Sequence, residues 1–150
     1  MKRIILTAVF LISFAVLSSA QPRAFGIRAG NNYEISYQHT LGNNFLEVDG
    51  GCGIGFDGVF NAGATGIYNF LISEFGNGFG FYAGPGASIG LEEESLFTIS
   101  AAGMVGLEYT LFELPIQFSL DFRQHIGIRV NGSGLWTPSS ICLGVRYLFW

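Results

Sequence analysis

The 150 residues leave room for one domain, and the composition is apolar, with 49% hydrophobic residues, 12% charged residues, 22 glycines and 15 phenylalanines. The aromatic content excludes a disordered chain, and glycines without a period of three exclude a collagen-like one. No apolar run beyond the N-terminus approaches the roughly 18 residues of a membrane-spanning helix. The composition therefore indicates a glycine-rich and aromatic-rich β protein.

The first twenty residues have the pattern of a secretory signal peptide. A basic pair, Lys2 and Arg3, precedes an apolar run over residues 4–17, and the small residues Ser18 and Ala20 follow. This order of basic, apolar and small residues is the one that signal peptidase recognises. We expect cleavage after Ala20, export of the chain, and a single domain over residues 21–150.

The predicted mature chain is acidic. Removing the first twenty residues leaves five arginines, no lysine and all eleven acidic residues, a net charge of −6. Nucleic-acid binding usually depends on a basic patch that neutralises phosphates. The sequence therefore predicts no nucleic-acid partner.

Strict alternation of apolar and polar residues begins soon after the predicted cleavage site. In "AFGIRAG", which starts at Ala24, the polar face carries Arg28; in "NNFLEVDGG", which starts at Asn43, it carries Glu47 and Asp49. A period of two is typical of a strand with one apolar and one polar face. These two segments are the first predicted strands with charges on one face.

A glycine motif and an acidic run follow in the middle of the chain. Gly53, Gly55 and Gly58 satisfy the G-x-G-x-x-G dinucleotide fingerprint, but no helical periodicity follows to present a helix N-terminus to a pyrophosphate. The run "EEES" over residues 92–95 is typical of a solvated loop rather than a cation site. The sequence therefore predicts loops at both places, with no cofactor and no metal site.

The second half of the chain repeats the alternating pattern. In "GLEYT" the polar face carries Glu108, in "PIQFSLDFRQHIG" it carries Asp121 and Arg123, and in the final "LGVRYLFW" it carries Arg146. Glycines share this face, and we expect Gly26, Gly106 and Gly144 to leave room for guanidinium groups.

Turn signals indicate about eight strands. Short connections are predicted at 42–44, 75–78 and 112–115, and longer ones near 53–60, 92–95 and 129–138; the first hairpin, at 31–32, has almost no loop. About sixteen residues per strand and connection suit transmembrane strands of about 9–11 residues.

The polar face decides which side of the strands is inside. Its charges lie on strands that cannot all be neighbours, so only a closed barrel brings them together in one lumen, with the apolar face towards lipid. We predict a closed antiparallel eight-stranded up-and-down transmembrane barrel whose side chains fill the lumen. In the predicted network, Arg28, Arg123 and Arg146 each contact at least one carboxylate; the acidic candidates for these contacts are Glu47, Glu108 and Asp121, with Asp49 on the same face.

The chain ends on aromatic residues. Tyr147 and Phe149 share the predicted lipid face, and Trp150 follows one residue later. This ending resembles the C-terminal signal read by the bacterial barrel assembly machinery, although the signal's parity fits Phe149 and not Trp150. The expected partners are that machinery, outer-membrane lipid and lipopolysaccharide, and the expected state is a monomer.

Several segments resemble the small, uncharacterised outer-membrane barrels common in Bacteroidota. They include "FGIRAG", "FLEVDGG", "FYAGPGASIG", "GLEYTLFELPIQFSLDFRQ" and "GVRYLF", in the order of that family and over nearly the whole mature chain. Residues 106–121 are the most specific piece. In size the chain is also similar to the OmpA and OmpX class. The resemblance implies a barrel in the outer membrane and carries no established activity.

Cysteines and histidines add weaker signals. Cys52 and Cys142 fall on opposite faces of non-adjacent predicted strands, which disfavours a disulfide. An esterase centred on His125 would need a nucleophile such as Ser119 or Ser133 brought close by folding. We expect structural roles for both histidines, His39 and His125, and no catalytic residue.

Alternative functions stay open at this point. The leading one is a structural or surface-interaction barrel. A lipid-modifying enzyme predicts a histidine–serine contact at the outer rim, and a narrow channel predicts a continuous water path past the lumen arginines. A soluble lipocalin-like binder needs an apolar cavity, where the alternation places charge.

Overall fold

The computed structural model describes residues 22–54, 60–92, 96–130 and 135–149. The predicted signal peptide, Ser133, Trp150, the last two glycines of the 53–58 motif and residues 93–95 of the acidic run lie outside the described residues.

The described chain consists of β-strands joined by turns. Alternating side chains, many of them β-branched or aromatic, favour extended backbone throughout. The strands are β1 Pro22–Ala29, β2 Asn32–Leu41, β3 Asn44–Ile54, β4 Phe60–Phe75, β5 Phe79–Glu92, β6 Leu96–Thr110, β7 Ile116–Arg129, β8 Leu135–Trp136 and β9 Ser139–Leu148.

The strands close into a barrel. Each of β1 to β7 pairs antiparallel with the next strand in sequence, β7 pairs with β9, and β9 pairs with β1. The short β8 pairs with β7 in the register that β9 uses, since Ile128 faces Leu135 and Gln124 faces Ser139. It therefore continues β9 beyond an interruption at residues 137–138. The predicted closed antiparallel eight-stranded barrel is confirmed.

The two ends of the barrel differ. One end, called the turn end below, carries Pro22 and Phe149. Its three connections are short, as predicted, and lie at residues 42–43, 76–78 and 111–115. Gly42, Asn77 and Gly78 adopt positive φ there, which tight hairpins require and which glycine tolerates best. The opposite end is called the loop end below. It carries the tip of the first hairpin, residues 30–31, and the strand ends next to residues 55–59, 93–95 and 131–134.

The faces of the sheet are inverted relative to a soluble protein. Apolar side chains such as Ile27, Leu120 and Leu143 are exposed on the outer wall, whereas charged side chains are buried in the lumen. Glu74 pairs with the buried Gly80 and therefore lies on the lumen face near the turn end. No Asp, Glu, Lys or Arg of the described strands lies on the outer wall. Within the same residues, no helix is long and apolar enough to cross a membrane.

The lumen also contains a small apolar cluster. The cluster comprises Phe45, Ile67, Tyr82, Ala102 and Met104. Phe45 and Tyr82 meet edge to face at 5.3 Å between ring centroids, a favourable arrangement for aromatic rings.

Candidate functional site

The middle of the lumen is built around three arginines that the alternation placed on the polar face. Arg28, Arg123 and Arg146 are each 1% exposed. They project from β1, β7 and β9, strands that only barrel closure brings together. A buried guanidinium is tolerated only when carboxylates and hydrogen bonds replace its water.

Each guanidinium nitrogen of Arg146 has a partner. Its Nη2 donates to Glu47 Oε1 at 2.7 Å, its Nη1 to Ser119 Oγ at 2.7 Å, and its Nε to Ser36 Oγ at 3.0 Å. Gln38 Nε2 donates to the other Glu47 oxygen at 2.8 Å. The carboxylate and the guanidinium are therefore held from both sides.

Arg28 bridges several acids. Its Nη1 lies 2.7 Å from Glu34 Oε2 and 2.8 Å from Asp49 Oδ2, and its Nη2 lies 3.2 Å from Asp121 Oδ2. Tyr82 donates its hydroxyl to the other Asp121 oxygen. One guanidinium thus connects carboxylates of β2, β3 and β7.

Arg123 differs from the prediction. The sequence predicted a contact with Glu47, Glu108 or Asp121, but Arg123 pairs with Glu34, at 3.1 Å, and with Asp49. Side chains two apart on a strand are separated along the lumen. Arg123 therefore contacts Glu34 and Asp49, which lie nearer the loop end. Asp121 lies two residues closer to the turn end on β7 and contacts Arg28 instead.

Glu108 also has another partner than predicted. It lies near the turn end of β6 and pairs with Arg23, whose guanidinium also donates to Gln38 Oε1 at 2.7 Å and stacks on the Phe45 ring at 4.1 Å. Glu108 and Arg23 thus form a second ion pair nearer the turn end, and Gln38 links it to Glu47.

The glycines on the polar face have different roles. A Cβ at Gly144 would come closest to Ser119 Oγ and would lie 3.1 Å from Arg146 Nη1, so this glycine makes room for the serine as well as for the predicted guanidinium. At Gly106 the space is taken by Asp121 and Tyr82 instead. At Gly26 a Cβ would meet the backbone of β9, so this glycine permits close strand approach and the prediction was wrong there.

A polar cavity lies between the central arginines and the loop end. Its volume is about 100 Å³, and its wall includes Ser88, His125 and Arg123. His125 Nδ1 lies 3.0 Å from Ser88 Oγ and 3.2 Å from Ser100 Oγ, and the two hydroxyls are 2.6 Å apart. Of the two serines that the sequence suggested as a nucleophile for His125, only Ser119 lies in the described residues. Ser119 instead forms hydrogen bonds with Arg146 and Asp121.

The remaining candidate residues lie apart from this cavity. His39 is buried near the turn end, with its Nδ1 3.0 Å from the Tyr37 hydroxyl. Cys52 is exposed, Cys142 is buried, and both are free, as the alternation favoured. Within the described residues no group of three or more histidines, cysteines or acids could hold a metal ion.

At the C-terminus the alternation continues to the last described residue. Tyr147 and Phe149 lie on the outer wall, in edge contact at 5.5 Å between ring centroids, while Arg146 points inward.

Sequence reasoning missed several lumen residues. Glu34 follows from the alternation of "NYEISYQH", which places it on the same face as Ser36 and Gln38. Arg23 was not predictable from alternation, because the register of β1 shifts between Pro22 and Ala24. The contact of His125 with Ser88 and Ser100 depends on three-strand register, which no local pattern reveals.

The comparisons support the fold. The crystal structure of Neisserial surface protein A (NspA) is similar, with a TM-score of 0.61 and 16% sequence identity over 85% of this chain and 94% of that chain. No protein-family model matches the chain, and no curated protein matches it in sequence. The chain therefore has a barrel fold similar to that of NspA.

Proposed function

We propose that the protein is a small integral outer-membrane barrel. The observation that carries this proposal is the inverted distribution of side chains: the described outer wall has no charged residue, while Arg28, Arg123 and Arg146 are buried in the lumen. Lipid is the solvent that favours such a wall, and closure satisfies the backbone hydrogen bonds within it. A soluble lipocalin-like barrel would bury its apolar face instead.

We infer further that the barrel is plugged and has a structural or surface-interaction role. The three arginines and their carboxylates span the lumen from β1, β2 and β3 to β7 and β9. Moving an ion past them would break buried pairs whose loss is costly. No catalytic residue and no cofactor form part of this function.

Residues 21–150, refolded in detergent micelles, provide the test. The unboiled barrel should run as a compact species on a gel and shift after boiling, and it should give no discrete conductance in a planar bilayer. Absence of the gel shift would contradict the membrane barrel. Steady unitary currents from a shifting barrel would contradict the plug alone.

Export, location and assembly belong to the same proposal. The predicted signal peptide 1–20, the aromatic ending of β9 and the segments similar to Bacteroidota barrels support secretion, membrane insertion by the assembly machinery, and a monomer among outer-membrane lipids. Fractionation of cells expressing the full chain should recover a form lacking residues 1–20 in the outer membrane. Recovery of that form in the soluble periplasm would contradict the location.

A second candidate function rests on the contact between His125 and two serines. A hydroxyl 3.0 Å from an imidazole nitrogen has the geometry of an activated nucleophile, and the site faces an open cavity. Ser88 Oγ would attack an ester carbonyl as His125 takes its proton; the alcohol would leave with that proton, and water would release the acid. Labelling by a fluorophosphonate that disappears in Ser88→Ala would support an ester hydrolase. If the wild-type barrel is not labelled, the ester hydrolase is contradicted and the structural role remains.

A further inference from the structure

The barrel wall is lower on one side of the loop end. Strands β1 and β2 have 8 and 10 residues, whereas β4 to β7 have 14 to 16. At the turn end β1 and β9 pair as far as Ala24 and Leu148, so the difference falls on the loop end. At about 3.3 Å per residue and a tilt near 40°, a deficit of about four to eight residues lowers the wall by roughly 10 to 20 Å.

Beside the short strand β1, the loop-end part of β9 has an unpaired edge. Ala29, the last residue of β1, pairs with Leu143, so residues 139–141 of β9 continue above it without a partner strand on that side. The Asn31 amide donates to the Ser139 carbonyl at 3.0 Å, and it is the described side chain that caps this edge. The tip of the β1–β2 hairpin is therefore a notch in the described wall.

The polar cavity lies directly behind this notch. Its rim includes Asn31, Asn32 and Ser140, and its far wall includes Thr65 of β4 and Ser88 of β5. Below it, Arg123 and its partners belong to the charge network that closes the lumen. The charge network thus closes the cavity towards the turn end, and the hairpin tip forms part of its rim.

The chemistry of the lining favours a neutral ligand. Arg123 is paired with Glu34 and Asp49, and Arg129 at the rim is paired with Glu92 at 2.6 Å, so the described cations already have counter-charges. Elsewhere the polar lining consists of hydroxyl, amide and imidazole groups.

Two buried polar atoms at the cavity have no partner among the described residues. Arg123 Nε is a donor and Asn32 Oδ1 is an acceptor, and the Arg123 side chain is 1% exposed. Buried polar groups normally find a hydrogen-bond partner. A ligand hydroxyl both accepts and donates and can satisfy either atom.

We propose that this cavity binds the neutral polyhydroxyl head group of a glycolipid, such as a hexose, which enters sideways through the notch from the outer leaflet. This inference rests on the proposed membrane location, because the notch faces lipid only in an inserted barrel. The blind cavity holds the head group while the acyl chains lie against the apolar outer wall.

The binding test uses residues 21–150 refolded in amine-oxide micelles, with the gel shift as proof of the barrel. Native mass spectrometry compares glucosyl-diacylglycerol with phosphatidylcholine of the same acyl chains, and saturation-transfer NMR probes free glucose. Retention of the glycolipid alone supports lateral entry of a lipid. Binding of free glucose as well supports the head-group site with access from solution. A shifted barrel that retains neither sugar, or both lipids equally, overturns the inference and leaves the membrane barrel intact.

Variants locate the site. Replacing Ser88→Ala removes one hydroxyl of the cavity wall and should weaken glycolipid binding severalfold, the effect of losing about one ordinary hydrogen bond. Thr98→Val removes one buried hydroxyl at constant shape and should also weaken glycolipid binding severalfold. Ser73→Ala, at the opposite end of the barrel, is the control and should bind as the wild type does. Equal retention by all variants would place the lipid elsewhere and overturn the site.

Discussion

At the residue scale, the guanidinium of Arg146 has three protein partners in place of water. Replacing Arg146→Leu leaves Glu47 buried with its nearest cation removed, and Arg28 is 3.6 Å away. Removing one partner of a buried pair costs about 3–5 kcal/mol. We expect the free energy of unfolding in micelles to fall by that amount, as measured by urea titration.

Two further variants control this prediction. Arg129→Leu removes a pair at the rim, where the guanidinium side chain is 30% exposed, and should cost at most about 1 kcal/mol. Adding Glu47→Gln to Arg146→Leu should recover part of the loss, because no charge is then left unpaired at that position. Equal losses for Arg146→Leu and Arg129→Leu would contradict a buried central pair.

Glycines test the packing of the lumen at the same scale. A Cβ at Gly144 would crowd Ser119 and lie 3.1 Å from Arg146 Nη1, whereas one at Gly66 meets nothing within 4 Å. Overpacking of a filled interior typically costs about 1–3 kcal/mol. Gly144→Ala should therefore lower the free energy of unfolding by that range, and Gly66→Ala should leave it unchanged or raise it slightly. The reverse order in urea titrations would show that the lumen is not filled around Arg146.

At the scale of the strand, each element has one wall face and one lumen face. Leu120 lies on the outer wall of β7, beside Leu107 and Leu143 on the neighbouring strands. An arginine in the middle of a lipid-facing wall costs about 2–4 kcal/mol. Leu120→Arg should therefore reduce stability in lipid vesicles by that amount.

Leu114 provides the matched control for this strand. It is 53% exposed in the turn between β6 and β7, outside the strands. Leu114→Arg should fold into vesicles with wild-type stability, since the new charge stays in water. If Leu120→Arg behaves like Leu114→Arg, the outer wall does not face lipid.

At the scale of the whole molecule, the short turns at residues 42–43, 76–78 and 111–115 and both described ends of the chain lie at one end of the barrel. We expect this turn end to face the periplasm, as in barrels with short periplasmic turns and longer outer loops. In a Cys52→Ser background, Val130→Cys, an exposed position just after β7 at the loop end, should react with a membrane-impermeant maleimide on intact cells. Asn77→Cys should react only after the outer membrane is permeabilised; labelling of Asn77→Cys alone on intact cells would reverse the orientation.

The local pattern was sufficient to place the strands and most of the lumen charges. Alternation assigns a face to Arg28, Asp121 or Arg146 because successive side chains of a strand point to opposite sides. It does not assign partners, since these depend on the stagger between strands; Arg123 and Glu108 therefore have other partners than predicted. The irregular register of β1 hid Arg23 for the same reason.

The sequence alone determined that the chain forms a barrel of about eight strands with charge on its inner face. This is possible because period-two alternation and turn residues are local properties. Tertiary structure decided which charges pair, how β8 extends β9, and where His125 meets Ser88 and Ser100. It also decided the unequal height of the wall, which arises from strand lengths and stagger around a closed ring. Such features depend on contacts between residues far apart in the chain, which strand pairing and barrel closure together bring within bonding distance.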